Sequence, residues 1–228
     1  MGGLTGIGGV LVVPALTALA GVPVDRAVAS SMLAFLVAGV PVAVIHLRNS
    51  PPRLRSLVLT SVAAAFGAFA GAWTLDLLPP VAIRAFIALL AVGSGLHGLF
   101  RPEKAHKREI PDTVLAALGL AVGYISAITG TGGPVTMIPA LLWLGAAIRP
   151  AIAISVAAQL PITATASAAN FAVGRLDFSL AVMVMAVLLT GTVIGAKLST
   201  RLSSRALTVS VALVLIATGV WYGFTIRA

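Results

Sequence analysis

The chain of 228 residues is 59% hydrophobic and only 9% charged, whereas a soluble domain carries about 25% charged residues. These proportions exclude a water-exposed surface of ordinary size, so the protein must have a lipid bilayer as its solvent. The net charge of +9 does not indicate nucleic acid as a partner, because the Lys and Arg residues stand at the ends of apolar segments, where basic residues set membrane topology.

The first half of the chain begins with a glycine-rich motif, Thr-Gly-Ile-Gly-Gly at residues 5–9, which a short apolar segment follows. Three long apolar segments come next, at residues 27–47, 57–78 and 81–100. Each has the length of about 20 residues that a helix needs to cross a hydrocarbon core of about 30 Å. We therefore predict a glycine break, a short helix and then three transmembrane helices.

The second half shows what stands before its own glycine motif. Residues 114–128 form an apolar run that is too short to span the bilayer alone, and the motif Thr-Gly-Thr-Gly-Gly follows at residues 129–133. The next apolar run, residues 135–147, is also short. Two half-length helices around a glycine turn predict a re-entrant hairpin. Further long segments complete the chain, the last of them at residues 206–226.

The two halves read as copies of one unit. The glycine motif at residues 5–9 returns at residues 129–133, and a register of about 124 positions holds along the rest of each half. Such a register predicts an internal duplication of the kind that transporters often carry. We place the first repeat at residues 1–108 and the second at residues 109–228. The first repeat has no leading half helix, which predicts a native start upstream of Met1.

The Lys and Arg residues distinguish a hairpin from a single broken span. A hairpin collects eleven of the fifteen on one face, whereas a single span divides them nine to six. Because basic residues concentrate in cytoplasmic loops, the hairpin is favoured. The loops from Arg48 to Arg55, from Arg101 to Arg108 and from Lys197 to Arg205 are then cytoplasmic. The predicted fold is an all-α polytopic protein of the cytoplasmic membrane with two inverted repeats, each a glycine-broken re-entrant helix pair plus three transmembrane helices.

The two glycine motifs are the strongest candidates for a binding site. Glycines let the chain turn inside the membrane and leave amide N–H groups pointing into a cavity. The helix that starts beside each break presents the positive end of its dipole, which favours a small anion, and the Thr5 and Thr129 hydroxyls add donors. The alternative is that small residues only let helices pack closely. The predicted substrate-binding residues are Thr5, Gly6, Gly8, Gly9, Thr129, Gly130, Thr131, Gly132, Gly133, Ser31, Ser155 and Gln159.

Five polar side chains in the predicted spans bear on this hypothesis. Ser31 and Ser155 lie in the first turns of equivalent helices, where a serine faces a cavity or bonds its own backbone. Gln159 lies in mid-span, where burial without a partner would be costly. His46 and Asn170 are equivalent positions near helix ends, and they read either as a proton or polar relay or as solvated interfacial residues.

The residue types exclude most catalytic and metal chemistry. Cysteine is absent, and the six acidic residues fall in predicted loops or at helix ends. No carboxylate pair therefore lies within a span to serve a cation pump or a metal site. We predict no catalytic set, no metal and no cofactor. The pairs Gly67 with Gly71 and Gly191 with Gly195 have the spacing of helix contacts and are predicted to be structural.

Having these motifs, the chain resembles the TauE/SafE sulfite exporter family of bacterial and archaeal membrane proteins. The resemblance rests on residues 4–9 with Val13 and Pro14, on residues 27–31, and on residues 129–133 with Ile138 and Pro139. It implies a secondary carrier of the cytoplasmic membrane for sulfite, sulfonates and other small sulfur-containing anions.

Together these features predict a secondary transporter of a small anion that works by alternating access. Two alternatives stay open: an anion channel that uses the breaks as a constriction, and a membrane scaffold or assembly protein that transports nothing. The expected partners are the anion and the lipid bilayer, and a homo-oligomer is left open.

Overall fold

The computed structural model describes residues 9–49, 51–100, 110–146, 148–199 and 204–225, and all regular structure in these ranges is helical. In chain order the helices are α1 Gly9–Pro14, α2 Val24–Asn49, α3 Leu54–Thr74, α4 Pro80–Phe100, α5 Asp112–Thr129, α6 Pro134–Trp143, α7 Ile148–Ala172, α8 Phe178–Ser199 and α9 Ser204–Thr225. A π-helical segment, Ala15–Leu19, continues α1, and a 3₁₀ turn, Leu75–Leu77, continues α3.

Within these ranges, five helices are long and apolar enough to cross a membrane, namely α2, α3, α4, α5 and α7. Large apolar side chains such as Phe66 and Phe100 stand exposed on the outer surface, as they do in proteins whose surroundings are lipid. The prediction of an all-α polytopic membrane protein is confirmed.

The helices of the two halves begin at equivalent positions. Helices α2, α3 and α4 begin at residues 24, 54 and 80, and α7, α8 and α9 begin 124 residues later, at residues 148, 178 and 204. Contacts between helices repeat in the same way, since α3 packs on α7 as α2 packs on α8, and α4 contacts α6 as α9 contacts α1. The division of the chain between residues 108 and 109, and the inversion of one repeat relative to the other, stay predictions.

Glycines bring α3 and α5 into close backbone contact. A side-chain carbon added at Gly67 would overlap the carbonyl of Leu120, and one added at Gly71 would lie 2.5 Å from the carbonyl of Tyr124. No side chain fits at either position without moving a backbone. The packing role predicted for these two glycines is confirmed.

One of the equivalent glycines on α8, Gly191, differs from its counterpart Gly67 on α3. Around Gly191 the structure leaves open space, because no described atom lies within 4 Å of an added side-chain carbon. The packing role predicted for Gly191 is therefore not found among the described residues. The surroundings of Gly195 are not among those that the structure describes.

Helices α4 and α9 cross through a symmetric pair of glycines. An added carbon at Gly95 would lie 2.7 Å from the carbonyl of Ala212, and one at Gly219 would lie 2.7 Å from the carbonyl of Ala88. The two pairs are related by the 124-residue offset. The last helices of the two halves thus pack through the small-residue contact that is common between membrane helices.

Helix α5 is longer than its apolar core suggests. It has 18 residues and is long enough to cross a membrane, so the prediction that this segment is too short to span was wrong. The extra turn comes from its ends. Asp112 in the first turn is stabilised by the positive end of the helix dipole, and the helix continues to Thr129 before glycine ends it.

Helix α6 has ten residues and runs back alongside α7. Gly133, just before its start, has Ile162 and Gln159 in the middle of α7 as neighbours, whereas α6 ends at Trp143, shortly before α7 begins at Ile148. Helices α5 and α6 therefore form a hairpin with the glycine break at its tip. That this hairpin re-enters a bilayer from one face stays a prediction.

Candidate anion site at the glycine break

The second glycine motif forms a buried turn between α5 and α6. Helix α5 is capped by Gly130, whose left-handed backbone (φ +71°) turns the chain and whose N–H donates to the carbonyl of Ser126 at 2.9 Å. Gly132 (φ +77°) and Gly133 (φ +113°) continue the turn in conformations that other residues rarely adopt. All residues from 126 to 135 are buried. Backbone geometry therefore requires glycine at these places.

Among the described residues, the turn leaves three amide groups without an acceptor. In the part of the chain that the structure describes, no oxygen accepts from the N–H groups of Thr131, Gly132 or Gly133. Pro134, the first residue of α6, has no N–H, and these amides directly precede the helix start, where the α6 dipole has its positive end. A buried donor without an acceptor costs about 1–3 kcal/mol. An acceptor, and most favourably an anion, is therefore expected here.

Ser126 is a further donor, which the sequence analysis did not select. Its side chain is fully buried, and its Oγ has no hydrogen-bond partner among the described residues. This oxygen lies 3.9 Å from the place where a side-chain carbon at Gly133 would stand. The signal in the sequence was its spacing: Ser126 stands four residues before Gly130, on the helix face below the cap.

Thr129 and Thr131 form a short chain of hydroxyls. The Thr129 hydroxyl donates its one proton to the carbonyl of Ile125 at 2.7 Å, and the Oγ1 atoms of the two threonines are 3.0 Å apart. Thr131 must then be the donor between them. Both protons are used inside the turn, so the donors that remain for a ligand are the amides and the Ser126 hydroxyl. Thr129 could donate to an anion, as the sequence analysis expected, only after giving up its present bond.

Helices α2 and α7 cover the break. Gly132 lies against the ring of Phe35 on α2, 3.4 Å from an added carbon, and Gly133 lies beside Gln159 on α7. Nε2 of Gln159 donates to the carbonyl of Phe35 at 3.1 Å, and a side chain at Gly39 would come within 2.8 Å of that nitrogen. The buried amide therefore has a partner. Positions 35 and 159 are equivalent in the two repeats, and they contact each other.

Ser31 and Ser155 are placed alike in the two halves. Each is fully buried and donates to the carbonyl four residues before it in its own helix, Ala27 and Ala151 respectively, at 2.6 Å in both cases. Each also stands four residues before the contact between α2 and α7, on the same helix face. Their protons are used within the helices, and a role in binding a substrate stays a prediction.

His46 and Asn170 lie away from the break. Each is 11 residues beyond the contact position of its helix, at Phe35 or Gln159, which is roughly 16 Å along the axis. His46 is partly buried. Asn170 is fully buried, and its Oδ1 accepts from Nη1 of Arg175 at 2.7 Å, so it is not the solvated end residue considered from the sequence. From the sequence, Arg175 is only one of the fifteen Lys and Arg residues that indicate membrane topology.

The first glycine motif is described only at its end. Thr5, Gly6 and Gly8 lie outside the described residues. Gly9 begins α1, and Val13 of the same helix reaches the second motif, since an added carbon at Gly130 would lie 2.6 Å from its Cγ2. The segment that follows the first motif therefore packs directly on the second.

The polar groups at the second break are all uncharged. No Lys, Arg, Asp or Glu occurs between residues 126 and 135. Over the described ranges, no group of three or more His, Asp or Glu residues could hold a metal ion. Residues 126–135 therefore contribute only backbone dipoles and neutral side chains to the electrostatic field at the break.

Comparison with known proteins gives a match to a protein family. No curated protein and no solved structure matches the chain. Residues 1–222 match the protein family described as sulfite exporter TauE/SafE. That range includes both glycine motifs and covers nearly the whole sequence, and by this match the chain belongs to the sulfite exporter TauE/SafE family.

Proposed function

We propose that this protein is a secondary carrier of the cytoplasmic membrane that moves a small sulfur oxyanion, such as sulfite or a sulfonate, by alternating access. Its family implies a membrane transporter of sulfur anions such as sulfite, and points away from an enzyme. Five apolar helices of spanning length support a multi-pass protein. The observation that carries the finer proposal is the buried turn at residues 130–133 with its free amides.

The turn suits a transported anion on electrostatic grounds. Its amide donors meet the start of α6, where the helix dipole is equivalent to about half a positive charge. Hydrogen bonds to an ionised acceptor contribute about 1.5–3 kcal/mol each. No cation stands in the turn to hold the anion permanently. A carrier must release its substrate, and a site made of neutral dipoles meets that requirement.

Helices α2 and α7 supply the movement in this proposal. They close over the break through Phe35 and Gln159, and the turn is buried from residue 126 to residue 135. An anion can exchange with water only when these helices separate from the hairpin. Rocking or sliding of the two repeats, as in other carriers built from internal repeats, would open the site to each side in turn.

Sidedness can be tested with cysteines, because the chain contains none of its own. In the proposed topology the loops from Arg48 to Arg55, from Arg101 to Arg108 and from Lys197 to Arg205 face the cytoplasm. Gly21→Cys and Arg48→Cys lie at opposite ends of α2. We expect a membrane-impermeant, thiol-reactive label to modify only the Gly21→Cys variant in intact cells, and to modify both variants after the cells are lysed. Labelling of Arg48→Cys in intact cells would contradict the topology.

The function is tested by flux in proteoliposomes. We expect saturable uptake of labelled sulfite, competition by a sulfonate or sulfate, and exchange of labelled sulfite against unlabelled sulfite inside the vesicles. Flux that does not saturate, with no exchange, would indicate a channel. Absence of flux of any sulfur anion with correctly folded protein would contradict the carrier proposal and favour a scaffold.

The free hydroxyl of Ser126 gives a separate prediction. Ser126→Ala should leave the unfolding temperature unchanged or raise it, because it removes a buried group without a partner. It should also raise the KM for sulfite several-fold, because a donor near the site is lost. The measurements are thermal unfolding and initial uptake rates.

Ser56 is the matched control, because its hydroxyl donates to Oδ1 of Asp112 at 2.6 Å, away from the break. Ser56→Ala should lower stability by about 1–2 kcal/mol and leave the KM unchanged. The same KM change in both variants would remove Ser126 from the site.

A further inference from the structure

A buried arginine lies outside the glycine break. Arg175 stands in the loop between α7 and α8, and its side chain is only 7% exposed. Nη1 donates to the carbonyl of Ala72 at 2.8 Å and to Oδ1 of Asn170 at 2.7 Å, and Nη2 donates to Oδ2 of Asp76 at 2.6 Å. The charge is thus held between the end of α3 and the end of α7.

Two donors in this cluster have no acceptor within the part of the chain that the structure describes. Nε of Arg175 and Nδ2 of Asn170 are buried, and neither has a hydrogen-bond partner among the described residues. The side chain of Asn170 is fully buried. A buried polar donor of either kind is costly when it is left unpaired. Two such donors on side chains that bond each other indicate that an acceptor belongs beside them.

Asp76 occupies only part of the binding edge of this arginine. A guanidinium offers parallel N–H groups as a fork, and an oxyanion takes such a fork with two oxygens. Asp76 accepts through a single oxygen, and its side chain is 64% exposed. A carboxylate so exposed can turn into water without a large desolvation cost. It can therefore give way to another anion.

We propose that Arg175 and Asn170 form a second anion-binding station, in which the carboxylate of Asp76 holds the place of a small oxyanion when none is bound. This station rests on the proposed anion carrier and deepens it. The incoming oxyanion displaces Asp76, takes the free Nε–H of Arg175 together with an Nη2–H, and accepts from Nδ2 of Asn170.

The station is connected to the glycine break through packed elements. Ala72, which accepts from Arg175, belongs to the same apolar cluster as Ala127 of α5. On the other side, the Ser30 hydroxyl of α2 donates to the carbonyl of Asp177 at 3.2 Å, which ties the loop to the start of α2. An anion at Arg175 would thus lie at the end of α7, away from the break itself, in a region that shares a packed apolar cluster with α5.

The test compares two ion pairs by equilibrium binding of labelled sulfite to the purified full chain. Asp76→Asn removes the competing carboxylate, and we expect this variant to have a Kd about tenfold lower. Arg175→Gln should raise the Kd about tenfold or more. The matched controls are Asp112→Asn and Arg55→Gln, whose ion pair at 3.3 Å is exposed on the arginine side, 84%. These should change the Kd less than about twofold.

The outcomes separate the station from the carrier. Suppose that the unaltered protein binds sulfite saturably, but Asp76→Asn binds it no more tightly than Asp112→Asn does. This result would overturn the station and leave the carrier proposal standing. Arg175 would then only hold the loop in place. Absence of sulfite binding by the unaltered, folded protein would overturn both. If Arg175→Gln fails to fold, Asp76→Asn decides alone, because its side chain is mostly exposed.

Discussion

Gly132→Leu should reduce saturable sulfite uptake to the background of empty vesicles, a loss of about a hundredfold or more. The backbone at Gly132 has φ +77°, and an added carbon would lie 3.4 Å from the Phe35 ring. A leucine would therefore press against the Phe35 ring and strain the turn that contains the amides of residues 131–133. Loss of two hydrogen bonds to an anion, about 1.5–3 kcal/mol each, accounts for the size of the effect. The measurement is the initial uptake rate.

Gly21→Leu is the control for backbone strain. Gly21 has φ +66°, close to that of Gly132, but no atom lies within 4 Å of an added side-chain carbon. The conformational cost is about 1–2 kcal/mol in both variants, while only one of them reaches the break. We expect Gly21→Leu to keep its uptake. Equal losses in both variants, at similar unfolding temperatures, would place the binding site elsewhere.

Gly67→Leu should prevent the protein from folding, or lower its stability by about 3 kcal/mol or more. A side chain at this position would overlap the carbonyl of Leu120, so α3 and α5 would have to separate along their whole contact. Overpacking of a close helix interface commonly costs about 1–3 kcal/mol, and more when backbone must move. The measurements are the yield of monodisperse protein and its thermal unfolding temperature.

Gly191→Leu provides the comparison within the same chain. Gly191 is the equivalent of Gly67 at the 124-residue offset, and it has open space around it. The same substitution at the two equivalent positions should therefore differ in effect, with Gly191→Leu within about 0.5 kcal/mol of the unaltered protein. Equal destabilisation at both positions would contradict the α3–α5 contact.

The helices could be predicted from the sequence because the bilayer fixes their lengths. The predicted segments at residues 27–47, 57–78 and 81–100 correspond to α2, α3 and α4. The ends differed where polar residues or proline extend a helix beyond its apolar core, and α5 is the clearest case because it begins at Asp112. Hydropathy locates the apolar part of a helix that lies in lipid, whereas the residues at its two ends determine where the helix begins and ends.

The candidate site was predicted in part. The glycine turn at residues 130–133 was found because paired motifs in a repeat are a strong local signal. Ser126 and Arg175 were missed for a different reason. A serine one turn before a break and an arginine in a loop both look ordinary in sequence, and only the packed structure shows that they are buried. Tertiary contacts of this kind have no periodic signature.

The contact between positions 35 and 159 is symmetric in place but not in chemistry. Gln159 donates a hydrogen bond to the carbonyl of Phe35, and a phenylalanine has no side-chain donor to return it. A neutral hydrogen bond contributes about 1 kcal/mol. If it forms in only one of two exchanging conformations, it raises the population of that conformation roughly fivefold relative to the other. If the protein works as the proposed carrier, it should rest more often open to one compartment, and the apparent affinity for the anion should then differ between the two sides of the membrane even without an ion gradient.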